Sequence, residues 1–239
     1  MLDPLPFAKG RHLLVALAAM LVFAASYLWL IESAGVLRLL AVFGGTGEWT
    51  LEAVTSSVAL LVIVVAVPAW FVQIAWDTRS GVTFWPRSWK GLLDGPLLLL
   101  AAVVVLWQLV ANLSLTTAER ALKAERHHGL MFDDGVLDWG WYMAHTSMGV
   151  LAEELLFSVL LQRAFEGYMP EFAAACARAG VFLLVHQYLY GYGLMPFHAL
   201  TGLLFGLVFM RTRSLMAPVL VHLLVNINSA ALTLRGLGT

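Results

Sequence analysis

The chain has 239 residues, 61% of them hydrophobic and 12% charged, with a mean hydropathy of +0.83 and a formal net charge of −1. Soluble domains carry about 25% charge, so this composition excludes an ordinary soluble enzyme and predicts a polytopic membrane protein with the lipid bilayer as its solvent. The near-zero net charge excludes the basic footprint of a nucleic-acid partner. A single cysteine, Cys176, excludes an intramolecular disulfide and reads as a small buried hydrophobe.

A bilayer-spanning helix needs about 20 apolar residues, and about seven stretches qualify: 13–31, 54–76, 96–115, 142–162, 172–190, 196–210 and 215–234. The first follows Lys9 and Arg11 as a signal peptide would, but its length makes it an anchor. Leu37 to Phe43 fits a segment lying along the interface. The sixth stretch is short and fits a tilted or partly re-entrant helix. Lys9, Arg11, Arg79, Arg87, Lys90, Arg163, Arg178, Arg211 and Arg213 fall on or near one side. Arg38, Arg120, Lys123, Arg126 and Arg235 fall on the other. This excess predicts a cytoplasmic N-terminus; a bacterial inner membrane is the expected location.

The chain divides into an N-terminal membrane region, 1–140, with three spans and a polar linker, and a four-helix core, 141–239. The linker, from 116 onward, is the most polar stretch. Glu119 and Lys123 stand in the favourable i,i+4 order for a solvated helical extension. His127, His128, Asp133, Asp134 and Asp138 have metal-ligand chemistry but nothing to fix their geometry, so they read as a solvated loop. Trp85, Trp89, Trp139 and Trp141 sit at predicted interfaces, as an aromatic belt would. Gly202-Leu-Leu-Phe-Gly206 is a small-xxx-small pattern that lets two helices approach closely. Gln187 to Pro196 alternates Tyr and Gly; it reads as an interfacial loop anchored by tyrosines, with a substrate gate as the other reading. No internal repeat supports a repeat-built transporter.

The last 100 or so residues concentrate the polar chemistry expected at membrane depth. Glu153 and Glu154 are adjacent on the fourth stretch, His186 lies on the fifth, His198 opens the sixth, and His222 and Asn226 are one turn apart on the seventh. A charged residue at the bilayer centre costs about 2.5–3.5 kcal/mol on insertion scales, so these groups must face the bundle interior. Bridging helices would be worth about 1 kcal/mol or less each, and one such residue alone would mean no more than that. Glu153, Glu154, His186, His222 and Asn226, five on three helices, point instead to a site. A carboxylate can deprotonate water, a histidine can hold it, and a histidine with an asparagine can donate to an oxyanion. A GxSxG elbow and an HExxH zinc signature are both absent from the sequence. The same set could serve proton movement in a transporter, a lower-ranked alternative.

These residues resemble the CAAX protease and bacteriocin-processing family of glutamic-type intramembrane endopeptidases. The motifs are Glu153-Glu154-Leu-Leu-Phe-Ser158, Phe182-Leu-Leu-Val-His186 and His222-Leu-Leu-Val-Asn226, in order across roughly 143–230. The resemblance implies Glu153 as general base, His186 holding the water, and His222 with Asn226 as the oxyanion site. It implies a membrane-anchored protein or peptide substrate: a prenylated tail, a peptide precursor or a C-terminal sorting tail. It also implies no cofactor, with a bound zinc as the alternative. A catalytically silent immunity or regulatory protein is the second functional reading.

One departure stands out. The family pattern has an arginine five residues after the first glutamate, where this chain has Ser158. Glu154 then stays protonated, or the chain is inactive, or another cation substitutes. The favoured substitute is Arg178, because Glu154 and Arg178 lie about equal distances, at 1.5 Å per residue, on either side of the turn near 166–168. Snorkelling of Arg178 to the interface is the competing reading.

Overall fold

A computed structural model describes residues 81–116, 132–133, 136–137, 139–190 and 196–235, with Leu14 and Ala18 as isolated helical positions. The two N-terminal stretches, the Glu119–Lys123 extension and the His127–His128 pair lie outside the described residues.

The described chain is all-helical apart from a two-residue antiparallel ladder. Helix α1 is Gly95–Ser114, entered through a short 3-10 turn, Lys90–Leu93. Strands β1 (Phe132–Asp133) and β2 (Val136–Leu137) pair Phe132 with Leu137 inside the linker read as a loop. Helix α2 runs in three consecutive pieces: α-helical Trp139–Glu154, π-helical Leu155–Gln162 and α-helical Arg163–Glu166. The junction residues Glu154 and Arg163 both keep right-handed helical dihedrals, so the helix does not break there. Helices α3 (Glu171–Tyr190), α4 (Pro196–Thr212) and α5 (Met216–Arg235) complete the bundle. Among the described residues one helix, Gly95–Ser114, is long and apolar enough to cross a membrane by length and composition.

Short connections make neighbours antiparallel. The α2–α3 turn and the α4–α5 turn meet at one end of the bundle. There the Arg213 guanidinium donates to both Glu166 oxygens at 2.8 and 2.7 Å and also reaches Glu171. Arg213 holds the left-handed φ of 50° that reverses the chain, an uncommon conformation for a residue with a Cβ. The same end carries the Arg163–Glu166 and Arg211–Asp94 pairs. Backbone bonds from Thr83 and Phe84 to Arg213, Leu215 and Met216 lay the segment before α1 across this turn.

The core is packed by Leu156, Phe157, Leu160 and Leu161 of α2, Phe182 of α3, Leu204, Phe205 and Val208 of α4, Val225 of α5, and Leu97 and Val104 of α1. Two expectations are corrected. Cys176 is exposed, because the inward face of α3 is taken by Ala174, Ala175, Arg178 and Ala179. Helix α3 continues through Tyr190, so Gln187 to Tyr190 are helical and not loop.

Gly202 and Gly206 set the α3–α4 distance. A Cβ at Gly202 would stand 3.1 Å from the Ala179 Cα and 3.2 Å from Phe182 atoms. At Gly206 it would meet the Gln162 Oε1 at 3.0 Å and the Arg178 Cδ at 3.3 Å. By contrast, a Cβ at Gly180 meets nothing within 4 Å. The two kinds of glycine predict opposite signs. Gly202→Ala lowers stability by about 1–3 kcal/mol through overpacking. Gly180→Ala raises it by about 0.5–1 kcal/mol through helix propensity. Thermal unfolding of the purified chain in detergent checks both; equal shifts would show that the close approach has no energetic weight.

Candidate active site

Consecutive helical residues point about 100° apart, so Glu153 and Glu154 cannot share one environment. Their side chains are 12% and 0% exposed. The Glu154 carboxylate is held from three directions. Arg178 Nη2 donates to both oxygens at 3.1 and 2.9 Å. Ser158 Oγ donates to Oε2 at 2.5 Å. His222 Nδ1 lies 2.9 Å from Oε1, where the ring N–H donates, since a carboxylate only accepts. Of the two readings open for Arg178, the structure takes the pair with Glu154; the side chain is fully buried and does not snorkel.

The guanidinium has further partners. Arg178 Nη1 donates to the Gly202 carbonyl, within the close approach that the glycines permit. Its Cζ lies 5.7, 5.3 and 5.8 Å from the ring centroids of Phe157, Phe182 and Phe205. Aromatic faces carry negative potential, so this cage favours a cation where water is excluded. Ser158, which stands where the family pattern has its arginine, is a buried donor to the same carboxylate, and the cation comes from Arg178 on the neighbouring helix, as the favoured reading of the sequence expected.

His222 is fixed twice. Its Nδ1 is bound to Glu154, and its ring stacks on Phe205 at 4.2 Å and 19°. Its other nitrogen, Nε2, faces Glu153 with 3.8 Å to Oε2. That separation is too long for a direct hydrogen bond. A carboxylate that orients one imidazole nitrogen while the other faces the working side is the arrangement of a carboxylate–histidine pair.

His186 is oriented by its own helix. Its Nδ1 lies 2.9 Å from the Phe182 carbonyl, which can only accept, so Nδ1 carries the proton and a neutral ring keeps its lone pair on Nε2. The Phe182 ring packs on His186 at 4.0 Å and edge-on to His222 at 5.9 Å, so it separates and supports both imidazoles. His198, at the start of α4, stacks on His186 at 4.8 Å. Asn226 follows His222 by one turn of α5 and is half-buried. The structure thus brings Glu154, Arg178, Phe182 and His222 into direct contact, sets Glu153 beside His222, and joins His186 through Phe182. Among the described residues, no group of three or more His, Cys, Asp or Glu has the geometry to hold a metal ion.

Sequence reasoning missed a set of buried amides. Gln162 Nε2 donates to the Gly206 carbonyl at 3.0 Å. Gln108 of α1 donates to the Val225 carbonyl at 2.9 Å and accepts from Asn228 at 2.6 Å, while Asn112 donates to the Gln108 carbonyl at 2.8 Å. The signal was present: amides at 108 and 112, one turn apart, inside an otherwise apolar helix.

The fold and the polar centre define a helical bundle with a buried carboxylate–arginine–histidine site. Residues 136–228 match the family model described as type II CAAX prenyl endopeptidase, Rce1-like. The match includes Glu153, His186, His222 and Asn226, and it agrees with the resemblance carried by the motifs. The matched family is one of proteases. No curated protein and no solved structure matches the chain.

The Arg178–Glu154 pair predicts strong coupling. Arg178→Leu or Glu154→Gln alone leaves a buried charge without its partner and costs about 3–5 kcal/mol. The double variant costs less than the sum by well over about 1 kcal/mol. Denaturation midpoints of the four forms of the cycle measure this, and strictly additive costs would dismiss the pair as an energetic unit.

Proposed function

We propose that the chain is an intramembrane endopeptidase that hydrolyses a peptide bond of a membrane-anchored protein or peptide with a glutamate-activated water. The observation that carries this is the division of labour between adjacent glutamates. Glu154 is saturated by Arg178, Ser158 and His222, whereas Glu153 keeps a side chain 12% exposed and turns its buried Oε2 toward His222 Nε2. A structural helix bridge needs only the first of these. A base needs the second: a carboxylate outside the ion pair, set beside the histidine.

In this reading the water donates one hydrogen bond to the lone pair of His186 Nε2 and gives its other proton to Glu153. The hydroxide so formed attacks the carbonyl carbon. The carbonyl π pair moves onto oxygen, and the oxyanion accepts from the Asn226 carboxamide N–H and from Nε2–H of a His222 imidazolium, whose Nδ1–H rests on Glu154. Collapse breaks the C–N bond, and Glu153 passes its proton to the leaving nitrogen. Phe182, Arg178 and Glu154 hold the rings and touch no reacting atom. No metal enters; in the zinc alternative Glu153 and the histidines would be ligands.

The bundle is read as membrane-embedded. Leu98, Leu99, Val105, Leu106, Val110 and Leu113 of α1 point away from the core, an apolar face suited to lipid. About seven spans, the division at 140/141, a bacterial inner membrane and a cytoplasmic N-terminus complete the proposal. The family description favours a prenylated tail over a peptide precursor or a sorting tail as substrate. A silent immunity or regulatory protein is the second reading, favoured by Ser158 at the motif arginine's position. The Arg178–Glu154 bond weakens that reading, since the carboxylate has its cation.

Terminal-peptide proteomics on cells carrying the wild type or Glu153→Gln at matched levels tests the proposal. Specific protein termini vanish in the variant, and their parent proteins are the substrates. On one of them, Glu153→Gln and His222→Ala lower turnover by at least about 100-fold, the usual weight of a positioned acid or base. A chelator leaves turnover unchanged. Identical termini in both cell lines would favour the silent protein, and loss of turnover with chelator, restored by zinc, would favour the metal reading.

A further inference from the structure

Gln108 lies on α1, outside the matched region 136–228, and no role in the proposed reaction falls to it. It is nonetheless almost fully buried, and both ends of its carboxamide are spent on α5. Nε2 donates to the Val225 carbonyl at 2.9 Å, and Oε1 accepts from Asn228 Nδ2 at 2.6 Å. These two contacts straddle Asn226, and Val225 lies in the helical turn that joins His222 to Asn226. Asn112, one turn further along α1, donates to the Gln108 backbone carbonyl.

A single hydrogen bond between two helices leaves them free to roll about it. Two bonds from one planar carboxamide, to points three residues apart on α5, fix both the rotation and the height of that helix. Rotation matters here because His222 and Asn226 project together from the same helix. With Cα atoms about 2.3 Å from the axis and the ring several ångströms further out, a roll of roughly 10° moves the His222 nitrogens by about 1 Å. A displacement of about 1 Å at a reacting group can cost about 100-fold in rate. Apolar packing against lipid does little to hold rotation, because tails and leucine side chains are equally apolar. On the other side of α5, the Glu154–His222 bond grips the tip of the imidazole and not the turn behind it.

We propose that Gln108 is a positioning residue for the proposed hydrolysis, locking the rotation of α5 so that His222 and Asn226 meet the reacting carbonyl together. The proposal rests on the endopeptidase reading, so its test needs a readout besides activity. The full chain in phosphatidylglycerol–phosphatidylcholine vesicles is compared as wild type, Gln108→Leu, Gln108→Glu, Asn228→Ala, Val104→Ala and, as the activity control, Glu153→Gln. Val104 is fully buried on α1 and carries no polar link, so Val104→Ala loosens the same helix without touching the lock. Two quantities are measured: turnover of a farnesylated CAAX peptide, and the rate at which diethyl pyrocarbonate modifies His222, followed by mass spectrometry.

Gln108→Leu lowers kcat by at least about 10-fold with KM within about twofold, and raises the His222 modification rate severalfold. Gln108→Glu keeps the acceptor for Asn228, loses the donor to Val225, and falls between wild type and Gln108→Leu. Asn228→Ala, which keeps that donor, is likewise intermediate. Val104→Ala lowers the unfolding midpoint yet leaves both quantities near wild type. If Gln108→Leu and Val104→Ala behave alike, or if Gln108→Leu leaves His222 reactivity unchanged, Gln108 is only a fastener and the proposal is overturned. If the wild type and Glu153→Gln treat the peptide identically, the endopeptidase reading loses this substrate, while the His222 rate still decides for or against the lock.

Discussion

The polar centre of this bundle is arranged around one buried ion pair. Removing a guanidinium and a carboxylate from water costs several kcal/mol per ion, and Coulomb attraction offsets that only with good geometry and further hydrogen bonds. Arg178 and Glu154 have such geometry. Both carboxylate oxygens are engaged, the Gly202 carbonyl takes a second guanidinium nitrogen, and three phenylalanine rings surround the cation. Solvation is still incomplete, since Arg178 Nε has no hydrogen-bond partner among the described residues. An apolar pair of the same volume would serve stability as well or better. What an apolar pair could not do is present a fixed acceptor to His222 Nδ1.

From that acceptor the rest of the site follows. Glu154 fixes one nitrogen of His222 and so turns the other toward Glu153. Phe205 stacks on His222 and Phe182 on His186, while both rings also face Arg178. The same aromatic side chains therefore solvate the cation and orient the imidazoles. The glycines of α4 are part of this, because a Cβ at Gly206 would meet the arginine's own Cδ. Directly after the two glutamates α2 enters its π-helical stretch, Leu155–Gln162, all of whose residues are buried. Such widened turns are favoured where function outweighs regular hydrogen bonding.

How much of this was legible depends on what each residue had to reveal. The Glu153-Glu154, His186 and His222–Asn226 motifs stand out because charge and imidazole are costly in apolar helices. The depth of Arg178 could be worked out because two helices joined by a tight turn form a nearly one-dimensional ruler. Which way a helix faces was harder. Helix α3 is apolar almost all round, so its sequence has no amphipathic stripe to say that Arg178 points in and Cys176 out. The substitution of Arg178 for the motif arginine was legible, but the hydrogen bond from Ser158 to Glu154 was not, because it depends on a hydroxyl rotamer that sequence position does not give. Gln108 was passed over because one amide in a span looks like tolerated polarity until its partners on the distant α5 are known. The first 80 or so residues carry no motif of this kind.

In the membrane-embedded bundle proposed above, little hydrophobic force would fix how the helices are rolled against one another, so polar links would carry information that packing does not. Each helix here has such a link to another: α2 to α3 through Glu154–Arg178, α3 to α4 through Arg178–Gly202, α2 to α4 through Gln162–Gly206, α2 to α5 through Glu154–His222, and α1 to α5 through Gln108. Two of them end on carbonyls of Gly202 and Gly206, where the absence of a Cβ exposes the backbone as an acceptor. Every helix that carries a candidate reacting group is thereby held by more than one such link. In the proposed hydrolysis the base, the water-holding ring and the oxyanion donors would come from three different helices, and such a site needs that constraint, because no single helix can preserve their mutual geometry alone.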